Sequence, residues 1–320
     1  MARITSLNIL LEQTGKDYLA ELYGYVIENV MKGAVSYQMK NKDLSGDPES
    51  GSVEAKRLAN AASKAYGTAR TAGKGDALVA RPVTVAINTD KEIVEELENK
   101  DIKLYGVDGV LDRRAQNHIQ TMINELDTAF FAAAAGAANV MNLTGYSSAA
   151  EELEAIIQEC ETTQNDFVDG VPRSFMHLVL SPKYYGKIRT ELDTQANNAN
   201  VDTAAEEFFV WHGVRVYSSV HLSGRDYILM ADGAVAQPVT ADQYVPEKIP
   251  LSNAFGVSLF YSYGTACVMP DLIFTKGVFT AVAANATFDS TKTYYTESNG
   301  VYTVADIQAF AQNTTYYTMS

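Results

Sequence analysis

Four kinds of chemistry reveal themselves by local spacing: phosphate binding by a glycine-rich loop, metal binding by clustered histidines and cysteines, attack by an activated serine, and acid-base work by paired carboxylates. The 320-residue chain comes nearest to the first. GTARTAGKG, Gly67 to Gly75, misses the GxxxxGK spacing by one residue, puts Gly75 where a magnesium-binding hydroxyl should stand, and precedes a strand pattern instead of a helix, so it reads as a turn. His118, His177, His212 and His221 lack metal-ligand spacing, and His118 falls beside the apolar stripe of a long helix. Cys160 and Cys267 form no CxxC and read as two reduced thiols. Gly256-Val257-Ser258 begins like a nucleophile elbow but lacks its closing glycine. The adjacent acids Glu95-Glu96, Glu151-Glu152 and Glu206-Glu207 point in different directions on a helix and read as solvated. Trp211 with Phe208, Phe209 and Tyr217 reads as domain core. No catalytic residue, cofactor site or metal site is assigned, and the chain is expected not to be an enzyme.

Composition narrows the classes further. Hydrophobic residues make up 47% and charged residues 20%, as in a folded globular protein. The formal charge of -14 excludes a protein whose main work is gripping nucleic acid, which needs clustered Lys and Arg. No apolar run approaches the length of a membrane span, and Asn8, Glu12 and Gln13 interrupt anything like a signal-peptide core. The sequons at Asn142, Asn285 and Asn313 are therefore read as chance matches. The 19 tyrosines suit protein interfaces.

Charge is unevenly spread. Residues 31–80 hold eight basic groups (Lys32, Lys40, Lys42, Lys56, Arg57, Lys64, Arg70, Lys74) against five acids (Asp43, Asp47, Glu49, Glu54, Asp76), while residues 89–112 hold eight acids (Asp90, Glu92, Glu95, Glu96, Glu98, Asp101, Asp108, Asp112) against Lys91, Lys100 and Lys103. A segment of +3 adjoins one of -5.

The elements that would carry these residues follow from periodicity. Residues 5–31 read as a helical arm in two pieces, with Gly15 as the break. From Met31 to Asp76 the chain is polar and lacks core periodicity, an excursion too long for an ordinary loop. Leu78 to Ile87 alternates as a strand that Pro82 confines to an edge, so the excursion is expected to be a two-stranded ribbon with its tip near Asp47 and Pro48. The strongest helix runs from Asp108, as N-cap, to Asn139, with Leu111, Ala115, Ile119, Met122, Leu126, Phe130 and Ala133 on one face. Ser148 caps a second helix over Ala149–Cys160. Phe175–Leu180 reads as a buried strand, Tyr184–Leu192 as a helix, Val214–Val216 and Asp226–Met230 as strands, and Ser258–Met269 as a long β run. The core-forming chain is expected to end near Gly277. Beyond it, Thr293-Tyr294-Tyr295-Thr296 is echoed by Thr315-Tyr316-Tyr317-Thr318, and Asn299-Gly300 marks a type I′ hairpin; the two echoes are not read as a repeat.

This order resembles the major capsid proteins of tailed bacteriophages, which have the HK97-like fold. The resemblance covers about residues 1–277. It is carried by the loop and return GDPESGSVEAKRLANAASKAYGTARTAGKGDALVARPVTVAINTDKEI, the spine VDGVLDRRAQNHIQTMINELDTAFFAAAAG, the segment FMHLVLSPKYYGKIR and the terminal FGVSLFYSYGTACVMPDLIFTKG. It implies an α+β fold: an N-terminal arm (1–30), an extended E-loop β-ribbon (31–88), a P-domain (89–146) with spine helix 108–139, an A-domain (147–240), a return to the P-domain (241–277), and a small β-rich appendage (278–320). It further implies a structural subunit of an icosahedral virion capsid, assembled in the host cytoplasm from hexamers and pentamers around packaged DNA that is only weakly contacted. A separate scaffolding protein, a portal and a decoration protein are the expected partners, and no membrane is involved. No lysine of the loop is matched to a covalent crosslink.

With that resemblance, the charge pattern suggests a contact. The basic loop (Lys40, Lys42, Asp47, Lys56, Arg57, Lys64 and Arg70) is expected to lie over the acidic stretch of an adjacent subunit (Asp90, Glu92, Glu95, Glu96 and Asp101). The span between arm and spine would then fold only against other copies. Two other readings stand beside this one: an encapsulin-like nanocompartment that encloses cargo enzymes, and an intracellular α/β enzyme with a site near Trp211 and His212.

Overall fold

Apolar spacing places most helices where they are expected, and the departures arise where distant segments touch. The computed structural model describes residues 6–98, 100–193, 209–283 and 286–319. The arm opens with a 3₁₀ turn, Leu7–Leu11, and continues as α1, Gln13–Gly33. The break falls at extended Glu12 and not at Gly15, which lies inside α1. A Cβ on Gly15 would sit 2.1 Å from the Ile9 carbonyl oxygen, so this glycine is what allows the turn to fold back against the helix. A short helix, α2 (Val35–Met39), follows. Buried Asp127 of the spine accepts hydrogen bonds from the amides of Val35 (3.2 Å) and Ser36 (3.0 Å) at its start.

The ribbon is antiparallel, β1 (Ser52–Leu58) with β2 (Ala80–Ala86), in register from Ser52↔Ala86 to Leu58↔Ala80. Its tip is therefore formed by residues 59–79. Asp47 and Pro48 lie at the opposite end, in a turn beside the base, where the Ile87 amide donates to the Gly51 carbonyl at 2.8 Å. This corrects the expected tip: the strand partners of 80–86 come after the Asp47 turn. The Ala59 amide bonds the Val79 carbonyl, and the alternation of bonded pairs from there turns the Pro82 nitrogen outward, which suits a residue without an N–H to the ribbon's free edge.

The acidic stretch contains a strand the sequence reading missed. β3 (Thr89–Leu97) pairs along its whole length with Phe255–Tyr263, from Thr89↔Tyr263 to Leu97↔Phe255. Charges at nearly every exposed position hide its alternation; they also blunt an edge that would otherwise invite pairing. The spine, α3, covers Ile102–Ala137 with one non-helical residue, Gly106 (φ 75°). The uninterrupted part thus begins next to the expected Asp108, whose Oδ1 accepts from the Gly109 amide (3.0 Å), and ends two residues before the expected Asn139. At 1.5 Å per residue it extends about 45 Å. Its first half packs Leu111, Ala115, Ile119 and Met122 against Leu19, Leu22 and Val26 of α1 and against the β3 sheet.

After the spine come β4 (Asn139–Met141), α4 (Ala149–Glu161, capped by Ser148), β5 (Met176–Leu180), α5 (Pro182–Asp193), β6 (Val214–Ser218) and β7 (Tyr227–Ala231). The expected β run 258–269 divides. β8 (Phe255–Tyr263) ends before Gly264, where a Cβ would meet the Ala86 carbonyl oxygen at 1.9 Å because the ribbon's base crosses there. β9 (Ile273–Lys276) then enters the sheet ordered β4-β9-β7-β5-β6. Of the segment 241–277, then, β8 belongs with β3 and β9 with the second sheet. That sheet is buried on both faces, by α4 and α5 on one side and by Phe130, Phe131, Ala134 and Ala135 of the spine on the other.

The appendage contains β10 (Phe279–Ala281), β11 (Tyr294–Ser298), β12 (Val301–Ala305) and β13 (Tyr317–Met319), in the order β10-β13-β11-β12-β4. Asn299 (φ 53°) and Gly300 (φ 83°) make the expected hairpin turn. Lys276 and Phe279 are near neighbours in the chain yet stand at opposite ends of the strand order β9-β4-β12-β11-β13-β10, so the sheet must roll on itself. Its interior holds Phe279, Tyr295, Tyr302, Tyr317 and Val140 of β4.

The two echoes are larger than they looked. Gly277-Val278-Phe279-Thr280 matches Gly300-Val301-Tyr302-Thr303, and Phe288 stands as far before its Tyr-Tyr pair as Phe310 does before the second. The pairing repeats as well: Thr280↔Thr318 mirrors Thr303↔Thr296 about a centre at Tyr295↔Tyr317. So do the hydrogen bonds from the Asp289 amide to the Tyr294 hydroxyl (3.1 Å) and from the Ala311 amide to the Tyr316 hydroxyl (3.3 Å). The appendage is built of two like halves, and among the described residues every strand pair within it joins one half to the other.

Candidate functional site

The ribbon divides where its core contacts stop. At its base Val53, Ala55 and Val85 are buried against Ala236 and Val268 of the same chain, which corrects the expectation that the whole span depends on other copies. Beyond Asn60, residues 61–82 are exposed apart from half-buried Gly67. Tyr66 is 98% exposed, Leu78 77% and Val79 59%. All three stand in the ribbon's outer loop, before the strand that begins at Ala80.

The basic residues expected to face a neighbour are largely engaged within the chain. Arg57 is buried, with its guanidinium bonded to both oxygens of Asp271 (2.5 and 2.8 Å) and set 4.7 Å from the centre of the Phe167 ring. Asp271 also accepts from the side-chain Nδ2 of Asn165 at 2.6 Å. Burial raises the Asp271 carboxyl, but the Arg57 bonds outweigh it and hold it below the usual carboxylate range. Lys40 donates to the Gln237 carbonyl (3.2 Å) and lies over the Tyr37 ring; burial, with Lys42 nearby, brings its pKa down to about 8. Lys56 pairs with Glu54 at 3.3 Å, and Lys64 pairs with Asp76. Asp47 caps its own turn by accepting from the Glu49 amide (3.0 Å). Lys42 and Arg70 are exposed and carry no ion pair to another described residue; Arg70 sits on a helical turn, Thr68–Ala72, within the exposed span. Gly67 and Gly73 flank that turn with positive φ, so the near-match to a phosphate loop is a turn in the exposed ribbon.

The acids sort in the same way. Glu95 binds Arg114 (2.6 and 2.7 Å) and lies 3.3 Å from His118; burial raises its carboxyl, and these two partners more than reverse the effect. Asp90 accepts from Ser262 (2.7 Å), and Asp101 from the Glu98 amide (3.0 Å). Glu92 and Glu96 are exposed on β3 with no ion pair to another described residue. Sequence reasoning missed Asp271, Asn165 and Phe167, which carry no local signal because they reach Arg57 only through the fold.

The alternative chemical site resolves into a closed ion network. Glu154 receives Arg173 (2.8 and 3.3 Å), Gln158 (3.0 Å) and the His212 ring (2.5 Å). Arg173 in particular holds its pKa at about 2. Trp211 is buried in the core beneath α4 and α5, Phe209 is exposed, and Phe208, Glu206 and Glu207 lie outside the described residues, as does Asn285. Glu152 of the remaining acidic pair binds Lys276 (3.0 Å) and accepts from Tyr184 (2.7 Å), while Glu151 binds Ser147. His118 bonds the Tyr244 hydroxyl (2.7 Å), and burial keeps its imidazole below the ordinary value. His177 lies 3.6 Å from Asp232, and His221 meets Thr128 at 3.0 Å. Burial pushes the Cys160 thiol up to about 12 and the Cys267 thiol to about 11, so neither supplies a thiolate near neutral pH. Among the described residues no group of three acids, histidines or cysteines could hold a metal, and no helix is long and apolar enough to cross a membrane.

No protein-family model matches the chain, and no curated protein matches it. Solved structures do. The capsid of the cyanophage P-SCSP1u is 13% identical over 74% of this chain and 85% of its own, with a TM-score of 0.53. A structure from Mycobacterium phage Che8 is 20% identical over 71% and 84%, with a TM-score of 0.50. A virus-like particle from Pyrococcus furiosus is 13% identical over 80% and 98%, with a TM-score of 0.51. These likenesses, together with the mixed helices and sheets described above, give the chain the HK97-like α+β fold of tailed-phage major capsid proteins.

Proposed function

We propose that this chain is the building subunit of an icosahedral virion capsid, closing as hexamers and pentamers around packaged DNA and catalysing nothing. The observation that carries the reading is the exposed outer ribbon: Tyr66, Leu78 and Val79 project into solvent from a chain with a capsid fold, and a second copy is the natural cover. Assembly in the host cytoplasm, a separate scaffolding protein, a portal and a decoration protein belong to the same reading. Packaged DNA would be touched weakly, given the net charge of -14.

The charge contact narrows to the residues not already engaged. Lys42 and Arg70 of the expected set, with Lys74 added because it too is exposed and carries no ion pair to another described residue, would face Glu92 and Glu96 on β3 of the next subunit, each exposed pair contributing about 0–1 kcal/mol but repeated at every subunit. Replacing Arg70 and Lys74 by Glu should lower shell yield in low salt; an unchanged yield would remove the electrostatic part of the proposal. Arg57 is unsuitable for that test because its partner is Asp271 of its own chain.

A second reading, an encapsulin-like shell around protein cargo, draws support from the likeness to the Pyrococcus furiosus particle. Electron microscopy of the expressed protein, with and without a candidate scaffold, tests shell formation. The nucleic-acid content of particles from infected or lysogenic cells separates the two readings. A monomer of fixed size at every concentration, with a ligand-dependent melting shift, would favour an enzyme over both.

A further inference from the structure

We infer that Arg57 and Asp271 form a latch that aims the ribbon in the single subunit, so that residues 59–82 meet a second copy already oriented; this rests on the shell reading above. Three segments distant in sequence meet at the latch: strand β1 through Arg57, the hairpin Gln164–Asp169 through Asn165 and Phe167, and the turn before β9 through Asp271. The Arg57 side chain is only 7% exposed. A guanidinium this deep is held by its carboxylate, and removal of that partner leaves a charge the site cannot solvate. The Asn60 amide adds a bond to the Asp166 carbonyl at 2.9 Å, after which the exposed span begins.

The latch therefore sits three residues short of Asn60, where the ribbon's contact with its own body ends and the exposed span begins. A ribbon free to swing would have to be ordered at each docking event, whereas a latched one has met that cost during folding. Lys56, the adjacent residue, points outward to Glu54 and serves as the control.

The test measures hydrogen exchange in the isolated subunit and shell formation by electron microscopy for the wild type, Asp271→Ala, Arg57→Lys and Lys56→Glu. Arg57→Lys keeps the charge but loses the two-pronged geometry. Expected are a tenfold or greater rise in exchange over residues 52–60 and 80–87 for Asp271→Ala, a smaller rise for Arg57→Lys, and none for Lys56→Glu. Shells should become fewer or mixed in size in the same order. Unchanged exchange in Asp271→Ala overturns the latch. Increased exchange with shells of wild-type yield and size overturns its role in assembly. Failure of the wild type to form shells would instead count against the shell reading, while the exchange measurement still decides whether the latch exists.

Discussion

The ribbon and the appendage are both antiparallel β additions to the same body, yet they end differently. The ribbon has two long strands, β1 and β2, and beyond Asn60 no apolar layer beneath them, so its outer residues stay in solvent. The appendage has shorter strands but rolls around Phe279, Tyr295, Tyr302 and Tyr317, and borrows β4 from the body to complete its wall. Backbone pairing alone does not make a β segment self-sufficient; a shared apolar interior does. One addition closes around an apolar interior, and the other leaves its outer end in solvent.

The largest effect that would sharpen this contrast comes from cutting the appendage in half. A stop after Asn299 removes β12 and β13 and leaves β10 and β11 without a partner, because their pairings all cross between halves. It should aggregate more than a stop after Gly277, which removes both halves together; equal solubility of the two truncations would break the pseudo-symmetric account. Next in size, Tyr302→Ala empties a ring stacked 3.8 Å from Phe279 and should cost about 3 kcal/mol, read as lost exchange protection across β10–β13. Tyr66→Ser with Leu78→Ser should change the stability of the isolated subunit by no more than about 0.5 kcal/mol while reducing shell yield. A melting loss comparable to that of Tyr302→Ala would mean that the outer ribbon has an intramolecular core after all.

The smallest effect is that of acid on the ribbon's base. Asp271 is depressed in the folded state, so its contribution is complete above the unfolded carboxylate value of about 3.9 and is lost as the pH falls through the folded value. Hydrogen exchange over residues 52–60, corrected for the intrinsic rate at each pH, should therefore be flat from pH 8 to 5 and rise only below about 4. A rise already at pH 6 would point to a histidine instead.

Helix periodicity was legible because each stripe repeats within a few residues: the spine, α4 and α5 lie near their expected limits, and the Asn-Gly turn needs no distant partner. β3 was not legible, since its inward residues alternate with acids and its partner β8 lies far along the chain. The ribbon's tip was misplaced for a related reason. A turn signal at Asp47-Pro48 says where the chain can reverse, not which strand then pairs with which. Among candidate site residues, basic and acidic composition located two charged segments but not their allegiance. Arg57 and Glu95 went to Asp271 and Arg114 of their own chain, and only the fold brings those partners within reach.

Local patterning by itself determined the helices, the edge character of the Pro82 strand, the hairpin at Asn299 and the lack of a spaced chemical motif, all of which depend on neighbours within a few residues. Tertiary structure alone decided that the ribbon's base is anchored while its end is not, that the spine passes from one sheet to the other, and that two Tyr/Thr echoes pair into one rolled sheet. Each of those outcomes depends on which far segment fills a given space, and that competition among apolar surfaces and charged partners is settled only when the whole chain packs.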